Sequence, residues 1–153
     1  MTRLNERIRT SLPIEEAFAY LADFANSEEW DPGVDSARRV GDGPVGVGAR
    51  YQLGVRQGDR VVPMEYRITQ YEPPSRVVLV GSGSGIQATD EIRFERKGDE
   101  TVVDYTADIV LTGVLRLVQP FLGSTFRKIA ENASDGIERT LAARAAVAGS
   151  ERT

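Results

Sequence analysis

Apolar residues recur along this chain with two periods, and the change from one to the other divides it. Through the middle the period is two, the mark of half-buried strands. Tyr51, Leu53 and Val55 share one side of an alternating run, and Met64, Tyr66 and Ile68 share one side of the next. Ala88, Asp90, Ile92 and Phe94 face away from Thr89, Glu91, Arg93 and Glu95, and Val103, Tyr105, Ala107, Ile109 and Leu111 repeat the pattern. Val77 to Val80 is apolar on both faces, as in a central strand. Turn sequences at Gln57-Gly58-Asp59, Glu72-Pro73-Pro74 and Gly98-Asp99 separate these runs. Such short connections predict an antiparallel meander. A strand over 3–9, with Leu4 and Ile8 on one face, and an edge strand near 36–40 bring the sheet to about six or seven strands.

Elsewhere the period is that of a helix. Pro13 opens one, where its missing N–H costs nothing, and Ile14, Ala17, Phe18 and Leu21 form its apolar face. Asp23 can cap a second short helix that ends at Trp30, before the breaker Asp31-Pro32-Gly33. The last third carries a single stripe: Leu115, Val118, Leu122, Phe126, Ile129, Ala133, Ile137 and Leu141. It predicts one helix from just after Gly113 to about Ala146, roughly 30 residues and about 45 Å long. Pro120 should bend or restart it, and Gly136 should permit a close helix–sheet contact. The expected fold class is α+β, a curved antiparallel sheet gripping a long C-terminal helix, with two short helices after the first strand. One domain over 1–148 is expected, with 149–153 as a frayed tail.

Composition narrows the chemistry mainly by what is missing. The 153 residues include no cysteine and no histidine. Thiolate catalysis, disulfides, His-based triads and most zinc or iron sites are therefore ruled out. Any catalysis would rest on carboxylates, Tyr, Arg, Lys, Ser or Thr. No ligand cluster or phosphate loop is visible, so no metal or nucleotide cofactor is expected; the run Gly81 to Gly85 lacks the lysine and following helix of a P-loop. Net charge is −4, and the basic pairs Arg38-Arg39, Arg96-Lys97 and Arg127-Lys128 are too scattered to track phosphates. Nucleic acid is not expected as a partner. No apolar run approaches the ~20 residues of a membrane span, and the first residues lack a signal-peptide core. Integral membrane association is not expected, a cytoplasmic location is, and the chain should be a monomer or homodimer.

Several segments, taken in order, resemble the START/Bet v 1-like (SRPBCC) superfamily, and within it the bacterial polyketide cyclase/dehydrase and lipid transport-like family. They are 13–23, Glu29-Trp30-Asp31-Pro32-Gly33, Tyr71-Glu72-Pro73-Pro74-Ser75-Arg76, 98–105 and the final helix. The resemblance implies the helix-grip fold, with a cavity between the concave sheet and the last helix. It does not imply one reaction.

With that fold, the alternation turns Tyr51, Leu53, Met64, Tyr66, Ile68, Leu79, Ala88, Asp90, Ile92, Tyr105, Ala107 and Ile109 inward. Val118, Phe121, Leu122 and Phe126 would face them from the helix, and Trp30 lies in the junction that the family places near the pocket. This lining suits an aromatic or polycyclic ligand, although the same residue types equally suit a filled core. Asp90 is either a general base or ligand anchor in the pocket, or a strand-end or salt-bridged carboxylate. Three functions follow: a binder or carrier of a hydrophobic small molecule; a polyketide cyclase, aromatase or dehydratase using the same pocket; and an interaction module of the co-chaperone type. The last would use the outer sheet face, where Val62, Val78 and Val80 are expected.

Overall fold

The computed structural model describes residues 1–151. Strand β1 (Thr2–Thr10) is followed by helix α1 (Ile14–Ala22), a 3-10 turn (Phe24–Asn26) and the one-turn helix α2 (Ser27–Trp30). Six strands then run in succession: β2 (Val34–Val40), β3 (Arg50–Gln57), β4 (Arg60–Glu72), β5 (Arg76–Gly83), β6 (Ile86–Lys97) and β7 (Glu100–Leu111). Two 3-10 turns (Gly113–Leu117 and Gln119–Phe121) lead into helix α3 (Gly123–Glu151). All strands join one antiparallel sheet in the order β1-β7-β6-β5-β4-β3-β2. The meander is continuous, and β1 closes on its last strand.

The helix-grip arrangement follows from where apolar faces must go. Phe18 of α1 packs between Tyr71 and Phe94, with ring centroids 5.3 and 5.2 Å away. This seals one end of the sheet together with Leu12, Leu21, Val77 and Val103, all buried. Asp23 accepts the Ala25 N–H at 3.2 Å and so starts the turn that delivers Phe24 onto Tyr66 and Trp30. The second half of α3 is clamped: Ile137 and Leu141 are buried, and the Arg144 guanidinium lies 4.2 Å above the Tyr20 ring. Its first half stands over the open part of the sheet.

The chain end departs from the reading of one long helix. Leu115 and Val118 lie in and between the 3-10 turns, and α-helix begins only at Gly123. Pro120 can neither donate an N–H nor tolerate a preceding helical turn. The Gln119 side chain fastens the segment instead, accepting the Leu111 N–H at 3.0 Å and donating to Ile109 O at 2.8 Å. Gly136 does permit a close approach, but to α2 rather than to the sheet. A Cβ at that position would lie 1.7 Å from the Trp30 carbonyl oxygen. At the far end the helix continues through 149–151, while Arg152 and Thr153 lie outside the described residues. Among the described residues no helix is long and apolar enough to cross a membrane.

Candidate ligand-binding cavity

Between the concave face of the sheet and the first half of α3 lies a cavity of about 350 Å³. Its origin is a deficit of side-chain volume on both walls. On the sheet the small lining residues are Ala88 on β6 and Ala107 on β7, the latter paired with Asp90, which register sets between Leu79 and Ala107 across β5, β6 and β7. Facing them from α3 are Ala130, Ala133 and Ser134. Small residues opposite small residues leave a space that a close-packed interior would otherwise fill. Gly81 sets the position of one wall. A Cβ there would meet the Tyr66 ring at 2.5 Å, so the ring lies across the glycine.

Trp30, Leu53, Met64, Tyr66, Asp90, Tyr105, Ala107, Leu122 and Phe126 all border this space. Tyr51, Ile68, Leu79 and Ile92 do not. They are wholly buried in the core and line no part of the cavity. Val118 and Phe121 are corrected in the opposite sense: the 3-10 turns that replace the helix leave both exposed, away from the lining. The outer-face valines also need correction, because Val62 is buried against the cavity and Val78 is buried, leaving only Val80 partly open. Residues that the sequence reading did not assign to the pocket complete the walls, among them Leu4, Phe24, Ser27, Val34, Val55 and Ile86.

Asp90 is the polar centre. It is 7% exposed, and its Oδ2 accepts the Tyr105 hydroxyl at 2.5 Å, the two residues being diagonal neighbours on β6 and β7. Burial raises its pKa from the ordinary 3.8 to about 7, against the opposing effect of that hydrogen bond, with Asp31 and Asp108 adding repulsion. Among the described residues no arginine pairs with it. The Tyr66 and Tyr105 phenols are pushed well above their usual value, by burial first and then by the Asp90 charge. Asp31, read from the sequence only as a helix breaker, also borders the cavity. Its Oδ1 accepts the Gly33 N–H at 2.8 Å, yet burial still raises its pKa. Among the described residues the one cationic side chain on the lining is Arg56, which is half-exposed and pairs with Asp35 at 2.9 Å. The buried Nε1–H of Trp30 has no acceptor among the described residues. The site is thus apolar walls, a protonatable carboxyl with its phenol, and an unmatched indole donor. Among the described residues no three Asp or Glu side chains converge as a metal site would require.

A cavity gripped between a seven-stranded antiparallel sheet and a C-terminal helix defines the class as a helix-grip domain of the START/Bet v 1-like kind. The chain belongs to the SRPBCC family described as polyketide cyclase / dehydrase and lipid transport, which it matches over residues 1–143. Its fold is similar to that of the Zhui aromatase/cyclase from Streptomyces sp. R1128, with a TM-score of 0.76, 11% identity, and coverage of 91% of this chain and 92% of that one. A START superfamily protein from Mycobacterium smegmatis is similar at TM-score 0.74 and 12% identity, covering 92% of this chain and 97% of that one. TTHA0849 from Thermus thermophilus is similar at TM-score 0.73 and 15% identity, covering 91% and 96%. No curated protein sequence matches significantly.

Proposed function

We propose that the protein binds and carries a hydrophobic small molecule, such as a lipid, a polyketide or another polycyclic or aromatic compound, between the sheet and α3. The observation that carries this reading is the cavity itself: about 350 Å³, walled mainly by apolar side chains and held open by small residues on both sides. That volume lies within the usual range of small-molecule pockets. Trp30, Leu53, Met64, Tyr66, Ala107, Leu122 and Phe126 would supply shape. Asp90, Tyr105 and the indole N–H would orient a ligand hydroxyl or carbonyl. Native mass spectrometry of the purified protein, followed by solvent release, tests this. A retained apolar compound is expected; protein of bare mass that also takes up no apolar probe would count against it.

A second reading starts from Asp90. A buried carboxyl that titrates near neutrality can take a proton from an enolisable carbon or return one to a leaving hydroxyl. With the phenols of Tyr66 and Tyr105 beside it, the pocket would act as a cyclase or dehydratase on a polyketide-like chain. Turnover lost in Asp90→Asn while binding persists would favour this reading over carriage.

A further inference from the structure

Three apolar side chains next to the cavity are held out into solvent by a segment that is otherwise firmly fixed. Val114, Leu117 and Phe121 are 82, 70 and 81% exposed, and none of them lines the cavity. Their backbone is fixed by a network centred on Gln119, whose Nε2 donates to Thr2 Oγ1 at 3.0 Å and to Ile109 O at 2.8 Å while its Oε1 accepts from Leu111. Thr112 donates its N–H to Gly85 O at 2.8 Å, and Leu115 packs down against Gly85. The two 3-10 turns therefore form a platform that Leu115 anchors and from which Val114, Leu117 and Phe121 project into solvent.

Charge is sorted along the same stretch of chain. From Ile109 to Ala130 there is no acidic residue, in a chain whose net charge is −4. The charged groups in that stretch are Arg116, Arg127 and Lys128, and none of them forms a salt bridge among the described residues. Immediately after the exposed Phe121, Leu122, Thr125 and Phe126 turn into the cavity wall. We propose that the 113–121 platform is a peripheral docking site for an anionic lipid surface, inserting Val114, Leu117 and Phe121 between headgroups that Arg116, Arg127 and Lys128 hold electrostatically.

The size of the patch favours a bilayer over a protein partner. Three side chains of this kind offer roughly 400 Å², against the ~800 Å² per partner of a stable protein interface. A bilayer needs less, because shallow insertion of a few apolar groups combines with attraction to anionic headgroups. Docking would set the cavity wall at the membrane surface, but it does not depend on what the cavity holds.

Sedimentation with large vesicles tests the proposal. The protein should pellet with phosphatidylglycerol-containing phosphatidylcholine vesicles, much less with pure phosphatidylcholine, and less again at high salt. Leu117→Ser with Phe121→Ser should lower partitioning about tenfold or more at an unchanged melting temperature. Arg116→Gln, Arg127→Gln and Lys128→Gln should each weaken binding to anionic vesicles by about fivefold. Absence of vesicle binding would overturn the proposal, as would binding indifferent to the serine substitutions. So would a concentration-dependent dimer in solution that those substitutions abolish, since the platform would then be covered by a second copy.

Discussion

Gly136→Ala is expected to destabilise the protein by about 3 kcal/mol, lowering its melting temperature by about 10 °C. The added Cβ would sit 1.7 Å from the Trp30 carbonyl oxygen and 2.8 Å from its carbonyl carbon. Both are backbone atoms at the end of α2, so no side-chain rotation relieves the clash. The direction is informative because intrinsic propensity acts the other way: alanine inside a helix is favoured over glycine by about 1 kcal/mol. Gly149 is the internal control. It lies in the same helix, and a Cβ there would meet nothing within 4 Å. Urea unfolding of the two variants should show a clear loss for Gly136→Ala and none for Gly149→Ala. Equal behaviour would mean that α3 does not rest on the Trp30 backbone.

The second large effect concerns Asp90 and has a definite sign. Its folded-state pKa is raised from 3.8 to about 7, chiefly by burial. Below about pH 4 both folded and unfolded chains hold the proton, and Asp90 adds no pH dependence. Between about pH 4 and pH 7 the unfolded chain releases a proton that the folded one keeps, so stability falls as pH rises. The full shift corresponds to about 4 kcal/mol, and structural relaxation would reduce it. Asp90→Asn is therefore expected to match the parent near pH 4 and to exceed it by about 2–4 kcal/mol at pH 8. Asp31, also raised by burial, should leave a smaller slope of the same sign in the variant. Asp108, bonded to Arg3, is shifted below its ordinary value, so its contribution changes at lower pH. A variant less stable than the parent at pH 8 would show that the carboxylate has a compensating partner.

Much of the architecture was legible because alternation survives burial. Period-two runs ended by Gly58-Asp59, Pro73-Pro74 and Gly98-Asp99 became β3 to β7 in the expected order. Parity alone identifies a face but not a depth along it. Tyr66 and Ile68 point the same way from β4, yet only Tyr66 reaches the cavity. Ile68 lies in the part of the sheet that the core fills, as do Leu79 and Ile92. What separates wall from core is the helix above, where Ala130, Ala133 and Ser134 leave space and Leu141 does not. That pairing joins positions far apart in sequence and cannot be read from either alone.

The other departures have equally local causes. The spacing of Leu115, Val118 and Leu122 fits a helix, but Pro120 and the Gln119 side chain hold that segment in 3-10 turns. Phe121 therefore lies outside the wall in which a continuous helix would place it. Asp31 looked like an ordinary turn residue because its bond to Gly33 is local, whereas its burial comes from distant elements around the cavity. Its position directly after the lone tryptophan was the available signal.

The most direct test of the cavity as a container uses that tryptophan. Uncharged N-phenyl-1-naphthylamine is titrated into the protein while Trp30 emission is followed, alongside an Ala107→Phe variant whose folding is checked by melting. Trp30 and Ala107 both border the cavity, so the parent should show saturable quenching, and the variant, with the space filled, little or none. No saturable change in the parent, or identical binding by both proteins, would contradict a ligand held between the sheet and α3.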